Sequence, residues 1–239
     1  LIPQMIQQSF LLVFFAIFLL MGNTSSSFDI LPGVVQEIET HLGKVNIRIV
    51  GENVPDKIPV ICIPGMNAGL VDEWTKVVVP LSEHGYVSAI IHFHSNPKTA
   101  PGLLGGISPH DVSKIINEAV LKNVFNAEKA VILGKSWGGY MAFTHVTNHP
   151  DKVIKLALQA PAFSSASRAA ALHKTGVPTF LAWAKDDSVM WYTTSKIWRE
   201  EMGQDLTFYA AEKGGHVVID EYAEPILRFL QSSAQTAIY

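Results

Sequence analysis

From residue 34 onward, short apolar runs closed by glycine, proline or polar residues alternate with stretches whose apolar residues recur every three or four positions. The first pattern is that of buried strands and the second that of helices with one buried face. Val34–His41 and Val45–Val50 flank Leu42-Gly43-Lys44 and predict a hairpin. Strands follow at Val60–Ile63, Val87–His92, Lys129–Leu133, Ile154–Ala160, Thr179–Trp183 and Leu206–Tyr209. Helices are predicted at Trp74–Glu83, from Ser108 onward, at Gly138–Asn148, about Ser164–Lys174, Thr193–Met202 and Tyr222–Leu230. In Ser108-Pro109-His110-Asp111 a capping hydroxyl, a first-turn proline and a carboxylate at the positive end of the dipole come together.

Repeated strand–helix units with fully apolar strands predict an α/β protein. Its sheet is doubly wound, mostly parallel and eight-stranded, with helices on both faces. Functional groups in such sheets gather beyond the carboxyl ends of the strands.

Residues 1–28 are a different material, and they divide the chain into a leader, 1–28, and one domain, 29–239. No charged residue precedes Asp29, and Phe10–Met21 is unbroken apolar sequence. That length suits a signal-peptide core. Extension back to Ile2 gives a marginal bilayer span, so an N-terminal hydrophobic helix is expected, with membrane association through residues 2–21. A retained anchor and a cleaved signal both place the domain at or beyond a membrane, in a secretory or organellar compartment. A helix packed in a soluble protein is the third reading.

About 210 residues remain after the leader, enough for one domain with a full core. The net charge of −3 gives no reason to expect nucleic-acid binding. Cys62 is the only cysteine, which rules out an intrachain disulfide, and its setting in Val60-Ile-Cys-Ile63 is that of a core residue.

The chemistry concentrates at Gly134-Lys135-Ser136-Trp137-Gly138, where a strand pattern runs straight into a helical one. A G-x-S-x-G string in that context holds the serine on a sharp turn, with its hydroxyl above the sheet edge. The same residues are not the end of a phosphate-binding loop, because Lys129 stands where that loop needs a glycine. Lys135, beside the serine, is expected to point away into solvent. A serine hydroxyl needs a base, and histidine suits that task near neutral pH. Of nine histidines, His216 lies in a glycine loop after the last strand, Glu212-Lys-Gly-Gly-His216, and is the candidate base. Asp186 and Asp187 follow the strand before it, and one of them is expected to orient the imidazole. Two backbone N–H groups are candidates for an oxyanion hole: that of Trp137, and that of Met66 in the loop after Val60–Ile63. Met66, Leu103, Leu104, Trp137, Phe163, Trp191 and Tyr192 are candidate pocket residues.

From about Val34 to Leu230 the chain resembles the α/β-hydrolase superfamily, in a lidless esterase- or thioesterase-like branch. The elbow, the chain order serine–acid–histidine, Trp74 with Leu81 and Gly85-Tyr86, and His149-Pro-Asp-Lys-Val153 carry the likeness. Ala184-Lys-Asp-Asp187 resembles the family's Gly-x-x-Asp acid loop, which favours Asp187, although spacing to Val189 favours Asp186. The resemblance implies a serine hydrolase that cleaves a small or medium ester or thioester through Ser136, His216 and Asp187, with no cofactor. Its partner would be a small acyl substrate. Three departures stand out. Pro64-Gly65 replaces the usual His-Gly. His92-Phe-His94-Ser-Asn96 replaces the usual Asp-x-x-Gly-x-Gly turn, and its H-x-H pair is a weak metal candidate without a third ligand in register. The link between Ala160 and Val177 has room for only one small helix and no lid domain. The alternative readings are a non-catalytic, membrane-tethered subunit that keeps the hydrolase fold for binding, and an acyl transferase to an acceptor other than water.

Overall fold

The computed structural model describes residues 31–102 and 106–232. The leader and its expected hydrophobic helix lie outside the described residues, as do the pocket candidates Leu103 and Leu104. Among the described residues no helix is long and apolar enough to cross a membrane.

Eight strands form one sheet: β1 (Val34–Thr40), β2 (Gly43–Val50), β3 (Ile58–Ile63), β4 (Tyr86–His92), β5 (Ala130–Lys135), β6 (Val153–Gln159), β7 (Thr179–Ala184) and β8 (Leu206–Ala211). Their order across the sheet is β1-β2-β4-β3-β5-β6-β7-β8. β1 and β2 form the expected hairpin, and β2 also runs antiparallel to β4; every pairing from β4 through β8 is parallel. The helices are α1 (Thr75–Ser82), α2 (Pro109–Lys114), α3 (Trp137–Asn148), α4 (Ala166–His173), α5 (Ser195–Met202) and α6 (Ala223–Gln231). α2 runs on as a π-helical stretch, Ile115–Lys122, and Ser108 caps its start by accepting from Asp111 N–H.

The strand alternation sorts side chains into two cores. Val60 and Cys62 of β3, with Val131 and Leu133 of β5, face the core closed by α1 and α6 through Val77, Val78, Leu81, Ile226 and Leu230. Ile61, Ile63 and Ile132 face the core closed by the α2–α5 layer through Val112, Met141, Val146, Leu172 and Trp198. Because both faces are covered, these strands are apolar along most of their length, which is why they read as apolar runs. Burial pushes the Cys62 thiol up, consistent with an inert core residue. His145 of α3 is fully buried, and burial, followed by the neighbouring His149, pushes its imidazole down to about 3, so it is neutral.

At the β2–β4 side, Asp72 from the segment before α1 clasps two strands. Its Oδ1 accepts from Arg48 Nε of β2 and His92 Nε2 of β4, each at 2.8 Å. His92 is therefore half of a clasp. Among the described residues no cluster of three or more His, Cys, Asp or Glu side chains stands ready for a metal.

Burial alone would raise the Asp72 carboxyl, but the His92 and Arg48 hydrogen bonds outweigh it and hold it at about 2. A carboxyl held below its unfolded value, about 3.9, stabilises the fold above that pH and loses this as pH falls toward about 2. Asp72→Asn should therefore lower the urea midpoint at pH 7, and its gap to wild type should shrink between pH 4 and pH 2. A gap that stays constant over that range contradicts the assignment.

Candidate active site

Ser136 sits between β5 and α3 with φ 53° and ψ −118°, a conformation rarely open to a residue with a side chain. Such strain costs on the order of 1–3 kcal/mol and persists only where the surroundings enforce it. Here the enforcement is visible. Ser136 N–H donates to Gln159 O of β6 at 2.9 Å, and its carbonyl accepts from Ala162 N–H at 2.8 Å and Tyr140 N–H at 3.1 Å. The close approach of α3 does the rest. A Cβ on Gly138 would stand 2.1 Å from Ile63 O and 2.3 Å from Pro64 O, so only glycine fits between the helix and the end of β3. Trp137 opens α3, so its N–H falls among those without an intrahelical acceptor.

Asp187 follows β7, and its side chain is fully enclosed. Its Oδ1 accepts from Val189 N–H at 2.9 Å and Met190 N–H at 2.8 Å. Its Oδ2 lies 2.8 Å from His216 Nδ1. A carboxylate only accepts, so Nδ1 carries the proton, and Nε2 of the neutral ring is left with its lone pair. The neighbouring Asp186 takes another partner, accepting from Gly215 N–H at 2.8 Å, and that hydrogen bond leads the causes that lower its carboxyl. Gly215 adopts φ 57°, a left-handed turn that presents His216. Of the two aspartates, the structure pairs Asp187 with the imidazole. Ser136 Oγ has no hydrogen-bond partner among the described residues.

Ser136, Met66, Asp187 and His216 follow β5, β3, β7 and β8, so all lie beyond the carboxyl ends of parallel strands. The Met66 loop has a support that the sequence did not announce: His94 Nε2 lies 2.8 Å from Met66 O and donates to it. His94, like His92, is thus engaged within the protein.

Lys135 departs from expectation. Its side chain is not solvated but 3% exposed, with Nζ 2.6 Å from Glu73 Oε1. Its ammonium reaches the segment before α1, and only a carboxylate there makes a buried ammonium tolerable. Glu73 was not singled out in the sequence, because an acidic residue at a helix start reads as a solvated cap.

Beside the elbow lies a cleft of about 330 Å³ lined by Ile107, Ser108, Trp137, Tyr140, Met141 and Phe163, with Arg168 of α4 at its edge. Of the pocket candidates, Trp137 and Phe163 line it; Met66, Trp191 and Tyr192 do not. The Arg168 guanidinium stacks over Tyr140 at 5.1 Å and donates to Phe163 O. Only α4 covers the link between β6 and β7, as the short connection implied.

The sequence profile described as alpha/beta hydrolase fold matches residues 58–171, which run from β3 through the elbow into α4. The chain has the α/β-hydrolase fold. Solved structures agree on the fold. A protein described as a predicted CIB-like hydrolase from Thermoplasma acidophilum is 21% identical with a TM-score of 0.67, over 83% of this chain and 96% of that one. Naproxen esterase from Bacillus subtilis is 13% identical with a TM-score of 0.68, over 84% and 93%. An α/β hydrolase from a lagoon-sediment metagenome of Mar Chica, Morocco, is 20% identical with a TM-score of 0.59, over 82% and 96%.

Gly138→Ala should cost about 3 kcal/mol or more, because the added methyl meets two backbone carbonyls that cannot move aside. Thermal melting measures this; a variant that melts within about 2 °C of wild type would contradict the packing of the elbow.

Proposed function

We propose that this protein is a serine hydrolase that cleaves a small or medium carboxylic ester or thioester through an acyl-enzyme. The observation that carries the proposal is the imidazole of His216, whose Nδ1–H is held by the enclosed Asp187, on the same sheet edge as a serine in a strained elbow. Ser136 Oγ attacks the acyl carbonyl as His216 Nε2 takes its proton. The negative charge on the carbonyl oxygen is met by the N–H groups of Met66 and Trp137. The leaving alcohol or thiol departs with the proton from His216, and water, activated by the same imidazole, releases the acid. Hydrogen bonds from a nucleophile to its base are often loose before substrate binds, so the free Ser136 hydroxyl is compatible with this cycle.

The short cover over the site supports an open cleft and modest substrates. The esterases among the structural neighbours support the reaction class. The apolar run Phe10–Met21 supports action at or beyond a membrane.

A fluorophosphonate probe should label the wild type at Ser136 and leave Ser136→Ala unlabelled. His216→Ala should lower kcat for p-nitrophenyl acetate by about 1,000-fold or more. Equal labelling of wild type and Ser136→Ala would remove the hydrolase reading, and the non-catalytic binding subunit would then stand. If labelling succeeds but an acceptor alcohol or amine captures the acyl group in preference to water, the reaction is acyl transfer.

A further inference from the structure

Lys135 and Glu73 lie behind the site, and their contacts reach three of its loops. Lys135 is the residue before Ser136, so its backbone is part of the elbow. Its stem passes along the oxyanion loop: a Cβ on Gly65 would lie 3.5 Å from Lys135 Cδ and 3.7 Å from Cε. Its ammonium then reaches Glu73 Oε1 at 2.6 Å, with the two side chains 3% and 5% exposed. The other carboxylate oxygen, Glu73 Oε2, accepts from Val218 N–H at 3.0 Å. Val218 is buried and stands two residues after His216. One unbroken path therefore runs from the serine turn, under Gly65, through a buried ion pair, to the backbone that carries the imidazole.

We propose that the Glu73–Lys135 pair is a positioning strut that sets the register of the His216 loop against the Ser136 elbow and the Met66 loop. The inference rests on the serine-hydrolase reading, because register matters only if those loops act together. Stability is a poor explanation for the pair. Removing two charges from water is costly, and apolar residues of like volume often serve a core as well or better. Geometry is a better one. Segments 65–73, 135 and 218 are far apart in sequence, and hydrophobic contact between them would tolerate sliding. A two-oxygen carboxylate that meets an ammonium on one side and a backbone N–H on the other does not. The chemistry needs that tolerance to be small, since a misplacement of about 1 Å costs a reaction about 100-fold.

The decisive variant is the charge-free pair Lys135→Met/Glu73→Leu, which removes both contacts and leaves no stranded charge. It should melt within about 5 °C of wild type. Its kcat for p-nitrophenyl acetate should fall about 100-fold while KM changes by less than about threefold. In hydrogen exchange, the amide of Val218 should exchange at least about tenfold faster than in wild type. Lys135→Met/Glu73→Gln retains an acceptor for Val218 N–H and should recover part of both losses. A folded charge-free pair with wild-type kcat and wild-type exchange at Val218 overturns the strut. If that pair does not fold, Glu73→Asp decides the matter. It keeps the charge but withdraws the carboxylate by one methylene, and an unchanged kcat overturns the proposal. Wild-type protein that neither turns over ester nor takes the phosphonate overturns the hydrolase reading instead, and Val218 exchange then still reports whether the pair anchors the loop.

Discussion

The backbone at Ser136 is the constraint around which the rest of the molecule is arranged. A side-chain-bearing residue at φ 53° is uphill, and it is held by hydrogen bonds on both sides of its peptide, from β6 and from the loop that follows β6. Those partners are in place only because β5 and β6 are adjacent parallel strands in register, and because α3 lies close enough to touch Ile63 O and Pro64 O. The glycines at 134 and 138 are consequences of that approach. The strain is thus spread over the sheet, and the sheet's cohesion is what keeps the hydroxyl lifted.

The same sheet solves the problem of assembly. Parallel strands all end on one edge, so loops after β3, β5, β7 and β8 share a rim even though their residues span 150 positions, from Met66 to His216. Convergence to the level of a loop is a property of topology. Convergence to the level of an atom needs polar contacts: Asp187 to the backbone of Val189 and Met190, Asp186 to Gly215, His94 to Met66, and Glu73 to both Lys135 and Val218. Each ties a loop to a neighbouring segment. His92 and His94 illustrate the economy of this rim. They are two residues apart, yet one clasps Asp72 at the sheet's side and the other steadies the Met66 loop.

Much of this was legible in the chain. The central strands appear as largely apolar runs because both faces are covered, and the elbow is legible because glycine is compulsory where a helix meets a strand end so closely. His216 and the Asp186–Asp187 pair follow from their place after the last two strands. The choice between the aspartates was not legible from local spacing, since neighbouring residues differ only in which way the turn aims them. Lys135 was misread for a related reason. A lysine carries no local mark of burial, and its partner lies 62 positions away at the start of another helix.

The sequence by itself determined the fold class, the strand order along the chain and the place of the serine at the elbow. These depend on periodicity and steric permission within a few neighbouring residues. The tertiary structure alone decided which carboxylate holds the imidazole, what steadies the Met66 loop and why the lysine beside the serine lies buried. Those are relations between groups remote in the chain, and hydrogen bonds and desolvation act on distances in space, which no local pattern encodes.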